Sequence, residues 1–265
     1  MSTDQGSQTP GNGRTWRNYF PQGDLWVFGY GSLIWKPPPH YDQRVPGYIE
    51  GYVRRFWQVR SCHYLYIFLL KLIFSLVSEK PGRVVTVIER RFWETLDDPL
   101  AHLESSSNDR VWGAAYHIPA SHAEEVHDYL DAREIDGYSV HYTPFHPVST
   151  SGGLPEGSEP AAVSSSITCM VYIGQPTNPQ FLRDPTRREP QDVAEVISRG
   201  RGQSGKNTEY LYLLEKALEG LGLGTADFHV TDLVERVKAI EEESEATMEE
   251  EKAERDIRES FKCDF

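Results

Sequence analysis

Hydrophobic and polar positions along the chain predict short strands interspersed with helices. Apolar runs and period-two alternation of β-branched and aromatic residues are typical of strands, whereas an apolar residue every three or four positions is typical of a helix. The strand pattern occurs at residues 25–28, 48–58, 84–88, 111–118, 139–147 and 166–173. The helix pattern occurs at residues 121–137, 193–198 and 209–221, and once more from residue 232. The predicted class is α+β, with a mostly antiparallel sheet or small barrel.

Local sequence patterns predict where two of these helices begin and end. Ser121 and Glu124 form a capping box, and Gly137 is a suitable end for the same helix. Ser204 or Asn207 is expected to cap the helix at 209–221.

Glu134 falls at the junction between the predicted helix and the strand that Tyr138 opens. A carboxylate beside the apolar Ile135 can be partly desolvated there, as an acid or base in a site would be. The alternative is an ordinary surface charge next to Arg133.

A Gly-Tyr-Gly turn follows the first predicted strand. Gly29 and Gly31 let the backbone bend sharply and leave consecutive N–H groups open, an arrangement that binds anions or a developing oxyanion. It is not a dinucleotide fingerprint, because Ile34 replaces the third glycine and Pro37 prevents a helix from starting. Ser32 is not in a nucleophile elbow either. The alternative is a tight turn that binds nothing.

Composition limits the classes of partner and the compartment. A net charge of −13 argues against general binding of nucleic acid or anionic membranes, although seven glutamates fall between residues 241 and 251. Residues 241–265 are therefore predicted to be an acidic tail, and residues 1–24 a disordered leader. The three cysteines, at positions 62, 169 and 263, show neither disulfide nor zinc spacing, which favours the reducing cytoplasm.

The sequence Gly-Tyr-Gly-Ser-Leu-Ile-Trp at residues 29–35 resembles the signature of the ChaC family of γ-glutamyl cyclotransferases. Further blocks that resemble the family follow in the same order, at residues 54–58, 81–86, 111–113, 130–138 and 204–211. The resemblance implies a domain over residues 25–240, with a mixed small β-barrel and flanking helices. It also implies that no cofactor or metal is needed.

ChaC enzymes cleave glutathione to 5-oxoproline and Cys-Gly, so the resemblance implies glutathione as the substrate. Glu134 matches the family's general acid/base, whereas Glu125 matches a second glutamate for which a structural role is equally expected. The resemblance implies that substrate is bound by Tyr30, Gly31, Ser32, Leu33, Arg55, Tyr138 and Tyr210. The alternatives are a cyclotransferase for other γ-glutamyl amines or dipeptides, and a non-catalytic binding protein on the same fold.

Two segments depart from the family pattern. Residues 59–80 are rich in Phe, Ile, Leu and Tyr and lack the short polar loop expected there. We interpret them as translated intron or an error in the gene structure; the alternatives are an additional core element or a membrane-surface segment. Spliced transcripts that cover the codons between 58 and 81 uniformly would contradict this hypothesis. The second insertion, residues 90–110, is polar and is expected to be a loop away from the site.

Overall fold

Strands and short helices alternate along the described part of the chain. The computed structural model of the protein describes residues 15–60, 81–104, 109–134, 138–148, 166–202, 205–222 and 227–260. The strands are β1 (Leu25–Gly29), β2 (Gln43–Glu50), β3 (Tyr52–Arg60), β4 (Gly82–Glu89), β5 (Arg110–Ile118), β6 (Tyr138–Pro147), β7 (Ile167–Gly174), β8 (Arg201–Gly202) and β9 (Gly205–Lys206). The helices are α1 (Arg90–Trp93), α2 (Ala123–Arg133), α3 (Pro190–Arg199), α4 (Asn207–Glu219) and α5 (Phe228–Ser260).

Five strands close into a barrel in the order β1-β5-β2-β6-β7. Every neighbouring pair is antiparallel except β1 and β7, which run parallel where Val27 lies opposite Met170. The barrel is therefore mixed, and the predicted α+β class with a small barrel is confirmed. Closure of the barrel joins the edges that an open sheet would expose.

The predicted strand at residues 48–58 is two strands. Gly51 adopts a φ of +83°, a conformation that glycine tolerates best, and it separates β2 of the barrel from β3. β3 pairs with β4 in a separate two-stranded ribbon, whose register shifts between Arg55 and Gln58. This break places the arginines of β3 outside the barrel.

Three groups of apolar side chains surround the barrel and the ribbon. The largest joins the barrel to α3, α4 and α5, a second packs α2 against β1, and a third lies between the ribbon and α1. Leu130 on α2 and Leu211 on α4 are completely buried. Among the described residues, no helix is long and apolar enough to cross a membrane.

Part of the predicted disordered leader is folded. Trp16 and Phe20 are buried and belong to the same apolar group as α2. Two aromatic side chains bury enough surface to order a short segment that is otherwise polar. The expectation of disorder for residues 15–24 is therefore wrong, while residues 1–14 lie outside the described residues.

The predicted helix caps are not the ones used. α2 begins at Ala123 with His122 as its N-cap and no side-chain cap bond, so the Ser121 capping box does not form. Asn207 does not cap α4, because its side chain bonds both the backbone N–H and the carbonyl of Arg83. Ser204 lies outside the described residues. α5 begins at Phe228, before the predicted start, and continues through much of the acidic tail.

The structure describes most of one predicted insertion, residues 90–110, and little of the other, residues 59–80. Val59 and Arg60 complete β3, whereas residues 61–80 lie outside the described residues, so the intron hypothesis stays a hypothesis. The segment at 90–110 is not merely a loop excursion, since it contains α1 and a 3-10 turn at Ala101–Leu103. It also supplies the buried carboxylate of Asp98.

Candidate active site

The Gly-Tyr-Gly turn leads from β1 into a 3-10 turn at Ser32–Ile34. The first hydrogen bond within this turn runs from the N–H of Ile34 to the carbonyl of Gly31, at 2.9 Å. The N–H groups of Gly31, Ser32 and Leu33 come before Ile34 in the chain and therefore have no hydrogen-bond acceptor within the turn. That these N–H groups bind an anion or an oxyanion stays a prediction.

Gly31 is required by a close approach rather than by an unusual φ angle. A Cβ atom at this position would lie 2.7 Å from Cγ1 of Val85 and 3.3 Å from the hydroxyl of Tyr210. Real Cβ atoms essentially never approach a carbon so closely, so with any side chain here either the Val85 side chain or the turn would have to shift. The turn is also fixed from behind, because the buried Tyr116 hydroxyl donates to the carbonyl of Leu33 at 2.9 Å.

Glu134 occupies the position just after the last residue of α2. It is the C-cap, and its N–H donates to the carbonyl of Leu130 at 2.8 Å. Its side chain is 19% exposed, and its carboxylate lies 3.3 Å from Nε of Arg133. The prediction of a partly buried carboxylate at a helix end is confirmed.

An open pocket connects the turn to Glu134. The space between the lining atoms, with its mouth included, is about 360 Å³. The lining residues are Phe28, Tyr30, Gly31, Ser32, Leu33, Val85, Glu134, Tyr138, Tyr172 and Tyr210. Among these residues Glu134 has the only carboxylate, and the other side chains are apolar or phenolic except for the hydroxyl of Ser32. The pocket thus offers one acid/base group and one row of backbone donors.

Hydrogen bonds hold three of the tyrosines in place. The hydroxyl of Tyr30 donates to the carbonyl of Tyr172 at 2.6 Å, and the hydroxyl of Tyr138 donates to the carbonyl of Val85 at 3.1 Å. The hydroxyl of Tyr172 donates to Oδ1 of Asp131 at 2.7 Å. Each bond joins different elements around the pocket, which makes its walls rigid.

These surroundings keep two phenols neutral. Burial raises the pKa of Tyr30, and the nearby Glu134 raises it further. Burial also raises the pKa of Tyr172, and Asp131 adds to that effect. Both hydroxyls therefore stay protonated at neutral pH and can serve as hydrogen-bond donors, but not as bases.

The structure brings seven of the eight predicted site residues to the pocket. They are Tyr30, Gly31, Ser32, Leu33, Glu134, Tyr138 and Tyr210. Arg55 is the exception, because β3 lies outside the barrel and buries its guanidinium against Asp98 and Glu104, at 2.7 and 2.8 Å. The prediction that Arg55 contacts substrate is not supported by this placement. Glu125, in contrast to Glu134, has a side chain that is 65% exposed.

Sequence reasoning missed three residues of the pocket wall, Phe28, Val85 and Tyr172. All three lie in strands that the hydrophobic pattern predicts, but the pattern alone does not distinguish a core position from a pocket wall. Tyr172 carries the one available signal, since it is a phenol in an otherwise apolar run that needs a hydrogen-bond partner when buried.

One group of side chains in the described part of the chain has the composition of a metal site. His40, His122 and Glu125 each bring one possible ligand atom within 4.8 Å of the others. The two imidazole rings, however, stack at 4.1 Å with an angle of 6° between their planes. An imidazole binds a metal in its own plane, so parallel rings do not converge on one ion. The group is also separate from the pocket lining.

Comparisons with known proteins place this fold and pocket in a family. Residues 25–240 match the family described as ChaC-like protein. The glutathione-specific γ-glutamylcyclotransferase of Schizosaccharomyces pombe is 37% identical over 222 residues, covering 82% of this chain and 94% of the relative. γ-Glutamylcyclotransferase 2-3 of Arabidopsis thaliana is 35% identical over 227 residues, covering 83% of this chain and 92% of the relative.

A solved structure agrees with these relatives. The crystal structure of a γ-glutamyl cyclotransferase specific to glutathione from yeast has a TM-score of 0.64 and 31% sequence identity, covering 82% of this chain and 99% of that one. The barrel and its pocket thus define an enzyme of the γ-glutamyl cyclotransferase fold. The chain belongs to the ChaC-like family, and the resemblance noted in the sequence is confirmed.

Proposed function

We propose that the protein cleaves glutathione by cyclising its γ-glutamyl group, with Glu134 as the proton-transfer group. One observation carries the proposal: the only carboxylate of the pocket lining shares the pocket with Gly31, Ser32 and Leu33, whose N–H groups have no acceptor within the turn. The relatives named for glutathione support the choice of substrate.

The reaction needs little from the protein besides a base and a fixed geometry. The α-amine of the glutamyl group attacks its own γ-carbonyl carbon, and the amide bond to the cysteinyl nitrogen breaks. The products are 5-oxoproline and Cys-Gly, with no oxidant, reductant or cofactor in the balance. Since the attacking amine is part of the substrate, holding it near the carbonyl supplies a large share of the rate.

Glu134 has the placement for both proton transfers. The α-amine is protonated at neutral pH and must lose a proton before it can attack, which an ionised carboxylate can accept. The same carboxyl group can then return the proton to the departing nitrogen. The neutral Tyr30 and Tyr172 hydroxyls cannot take the first role.

The backbone donors at Tyr30, Gly31, Ser32 and Leu33 bind a negatively charged oxygen of the substrate in this proposal. This oxygen belongs either to the glutamyl α-carboxylate or to the oxyanion that forms at the γ-carbon. Tyr138 and Tyr210 line the same pocket and contact the substrate in this proposal. The cytoplasmic location stays a prediction from the sequence.

The test is an end-point assay with purified protein and glutathione, in which 5-oxoproline and Cys-Gly are both measured. We expect Glu134→Gln to lower turnover by about 10²–10⁴-fold, the range of general acid–base catalysis, without a change in thermal unfolding. Glu125→Gln is the matched control on the same helix and is expected to keep parental activity. Folded parental protein that yields no 5-oxoproline would contradict the proposal.

The same assay separates the proposal from its rivals. A panel of γ-glutamyl amines and dipeptides at equal concentration tests the broader cyclotransferase, because only that enzyme would process several of them as fast as glutathione. A non-catalytic binding protein would release no product. It would bind glutathione with the same affinity in the parent and in Glu134→Gln.

A further inference from the structure

Arg133 connects the two halves of the pocket through three nitrogen atoms. Its Nη2 donates to Oγ of Ser32 at 2.7 Å, and its Nη1 donates to the carbonyl of Lys36 at 3.2 Å. Its Nε lies 3.3 Å from Oε1 of Glu134. A single guanidinium therefore contacts Ser32 and Lys36 in residues 31–36, here called the donor turn, and also the carboxylate of Glu134.

We propose that Arg133 is a positioning residue that sets the distance between the donor turn and Glu134. This inference rests on the proposed function and adds a residue that the sequence treated only as a neighbouring charge. Arg133 is absent from the pocket lining, so it acts through Ser32 and Glu134 and not on the substrate.

The local backbone explains why a neighbouring residue can make this contact. Successive residues of a helix point about 100° apart and do not normally meet. Arg133 is the last residue of α2, whereas Glu134 has left the helix, with φ −100° and ψ 17°. The two side chains can therefore turn toward each other, and each is only about one-fifth exposed.

The turn depends on such an external support. It is a single 3-10 turn of three residues, followed by three consecutive prolines that donate no N–H. Tyr116 holds the carbonyl of Leu33 from the barrel side. Arg133 holds Ser32 and Lys36 from the helix side, and it is the support that also reaches the carboxylate.

The chemistry of the side chain matters as well as its charge. Arginine presents its nitrogens as a rigid planar fork, so it can bond two acceptors on the turn while a third nitrogen faces a carboxylate. Lysine carries the same charge at a single nitrogen and cannot span the three acceptors at once. Only the planar guanidinium of arginine can therefore hold the donor turn and Glu134 at the same time.

The first test compares steady-state kinetics of the parent, Arg133→Met and Arg133→Lys with glutathione. We expect both variants to lower kcat by about 10–10²-fold, as a displacement of about 1 Å at a reacting group does, with KM changed by less than about 3-fold. Arg199→Met is the matched control, because Arg199 also ends a helix but is far more exposed. Parental kcat in Arg133→Met, or full recovery in Arg133→Lys, would overturn the inference.

The second test does not depend on turnover. Amide hydrogen exchange at residues 31–36 is expected to be faster in Arg133→Met than in the parent, and unchanged in Arg199→Met and Glu134→Gln. Equal exchange in Arg133→Met and the parent would overturn the inference even if the parent proved inactive. A parent without activity whose turn loosens in Arg133→Met would instead refute the proposed function and leave the structural role of Arg133 intact.

Discussion

The carboxylate of Asp98 lies 2.7 Å from Nε of Arg55, and both side chains are almost completely buried. The indole N–H of Trp93 donates to the same carboxylate oxygen, also at 2.7 Å, and the N–H of Leu100 donates to the other oxygen at 3.0 Å. Asp98 therefore receives donors from β3, from α1 and from its own loop. The polar insertion at 90–110 thus contacts β3 through Asp98 and also through Glu104, whose carboxylate lies 2.8 Å from Nη1 of Arg55.

Removal of the Asp98 carboxylate should lower the stability of the fold. We expect Asp98→Ala to lower the free energy of unfolding by about 1–3 kcal/mol, because the indole N–H of Trp93 loses its acceptor and the buried Arg55 charge keeps only Glu104 as a partner. The measurement is urea unfolding followed by tryptophan fluorescence. Asp97→Ala, at the exposed neighbouring position, is the control and should stay within about 0.5 kcal/mol of the parent. A loss below 1 kcal/mol for Asp98→Ala would show that Glu104 alone is enough to pair the buried Arg55 charge.

Gly31→Ala should impair the pocket more than the fold. The added methyl group would lie 2.7 Å from Cγ1 of Val85, so either the Val85 side chain must shift or the turn must move together with its backbone donors. We expect kcat/KM for glutathione to fall by about 10-fold or more, since small displacements of positioned groups have large effects on rate.

The control for this substitution is Gly220→Ala. Gly220 follows α4 with φ −65°, an angle that alanine adopts readily. This variant should keep parental kinetics. Unchanged kinetics in Gly31→Ala would instead show that the turn tolerates displacement, and that its N–H groups do not need the position described here.

The side chain of Asn207 connects α4 to the ribbon, because it bonds the N–H and the carbonyl of one residue as a neighbouring strand would. Its side chain accepts a hydrogen bond from the N–H of Arg83 at 2.6 Å and donates one to the carbonyl of Arg83 at 2.8 Å. We expect Asn207→Ala to lower the free energy of unfolding by about 2–4 kcal/mol, because both buried backbone groups lose their partner. Urea unfolding again measures the change.

Asn207→Asp is the matched variant for this junction. It keeps the acceptor for the N–H of Arg83 but replaces the donor by a carboxylate oxygen that faces the carbonyl of Arg83 in a buried position. It should therefore be at least as unstable as Asn207→Ala. Stability close to that of the parent would show that the bond to this carbonyl contributes little.

The buried side chain of His229 should make the stability of the protein depend on pH. Burial lowers the pKa of His229 well below its ordinary value, and the charges of Arg55 and Arg54 lower it further. Its Nε2 accepts a hydrogen bond from the N–H of Phe56 at 3.0 Å. The folded protein thus holds this imidazole neutral while the unfolded chain binds a proton near pH 6.5.

The sign of the effect follows from this difference. The stabilising contribution is present above about pH 6.5 and is lost as the pH falls below it, by up to about 1.4 kcal/mol per pH unit. His229→Gln should therefore weaken the dependence of unfolding free energy on pH between about 6.5 and 5, whereas the exposed His102→Gln should not. Parallel pH profiles for parent and His229→Gln would contradict this assignment.

Local patterns did not predict the break at Gly51 or the short strands β8 and β9, but they were sufficient for most of the strands, the donor turn and the position of Glu134. Each of these depends on residues close in sequence, such as the glycines around Tyr30 or the helix end before Tyr138. The partners of Arg55 and Asn207 could not be predicted, because Asp98 and Arg83 become their neighbours only through tertiary packing. The same limit applies to Tyr172, whose strand was predicted but whose place opposite Tyr30 depends on closure of the barrel.

Closure of the barrel has a consequence for synthesis of the chain. The strand that carries Val27 is made early, but its parallel neighbour at Met170 emerges from the ribosome much later. The pocket is complete only after Tyr210 has followed, about 10–40 s into translation at ordinary rates. Until the strand with Met170 has been made, one edge of the N-terminal strand lacks its native neighbour. A nascent chain that stalls before the last barrel strand would expose that edge and would be a natural target for chaperones.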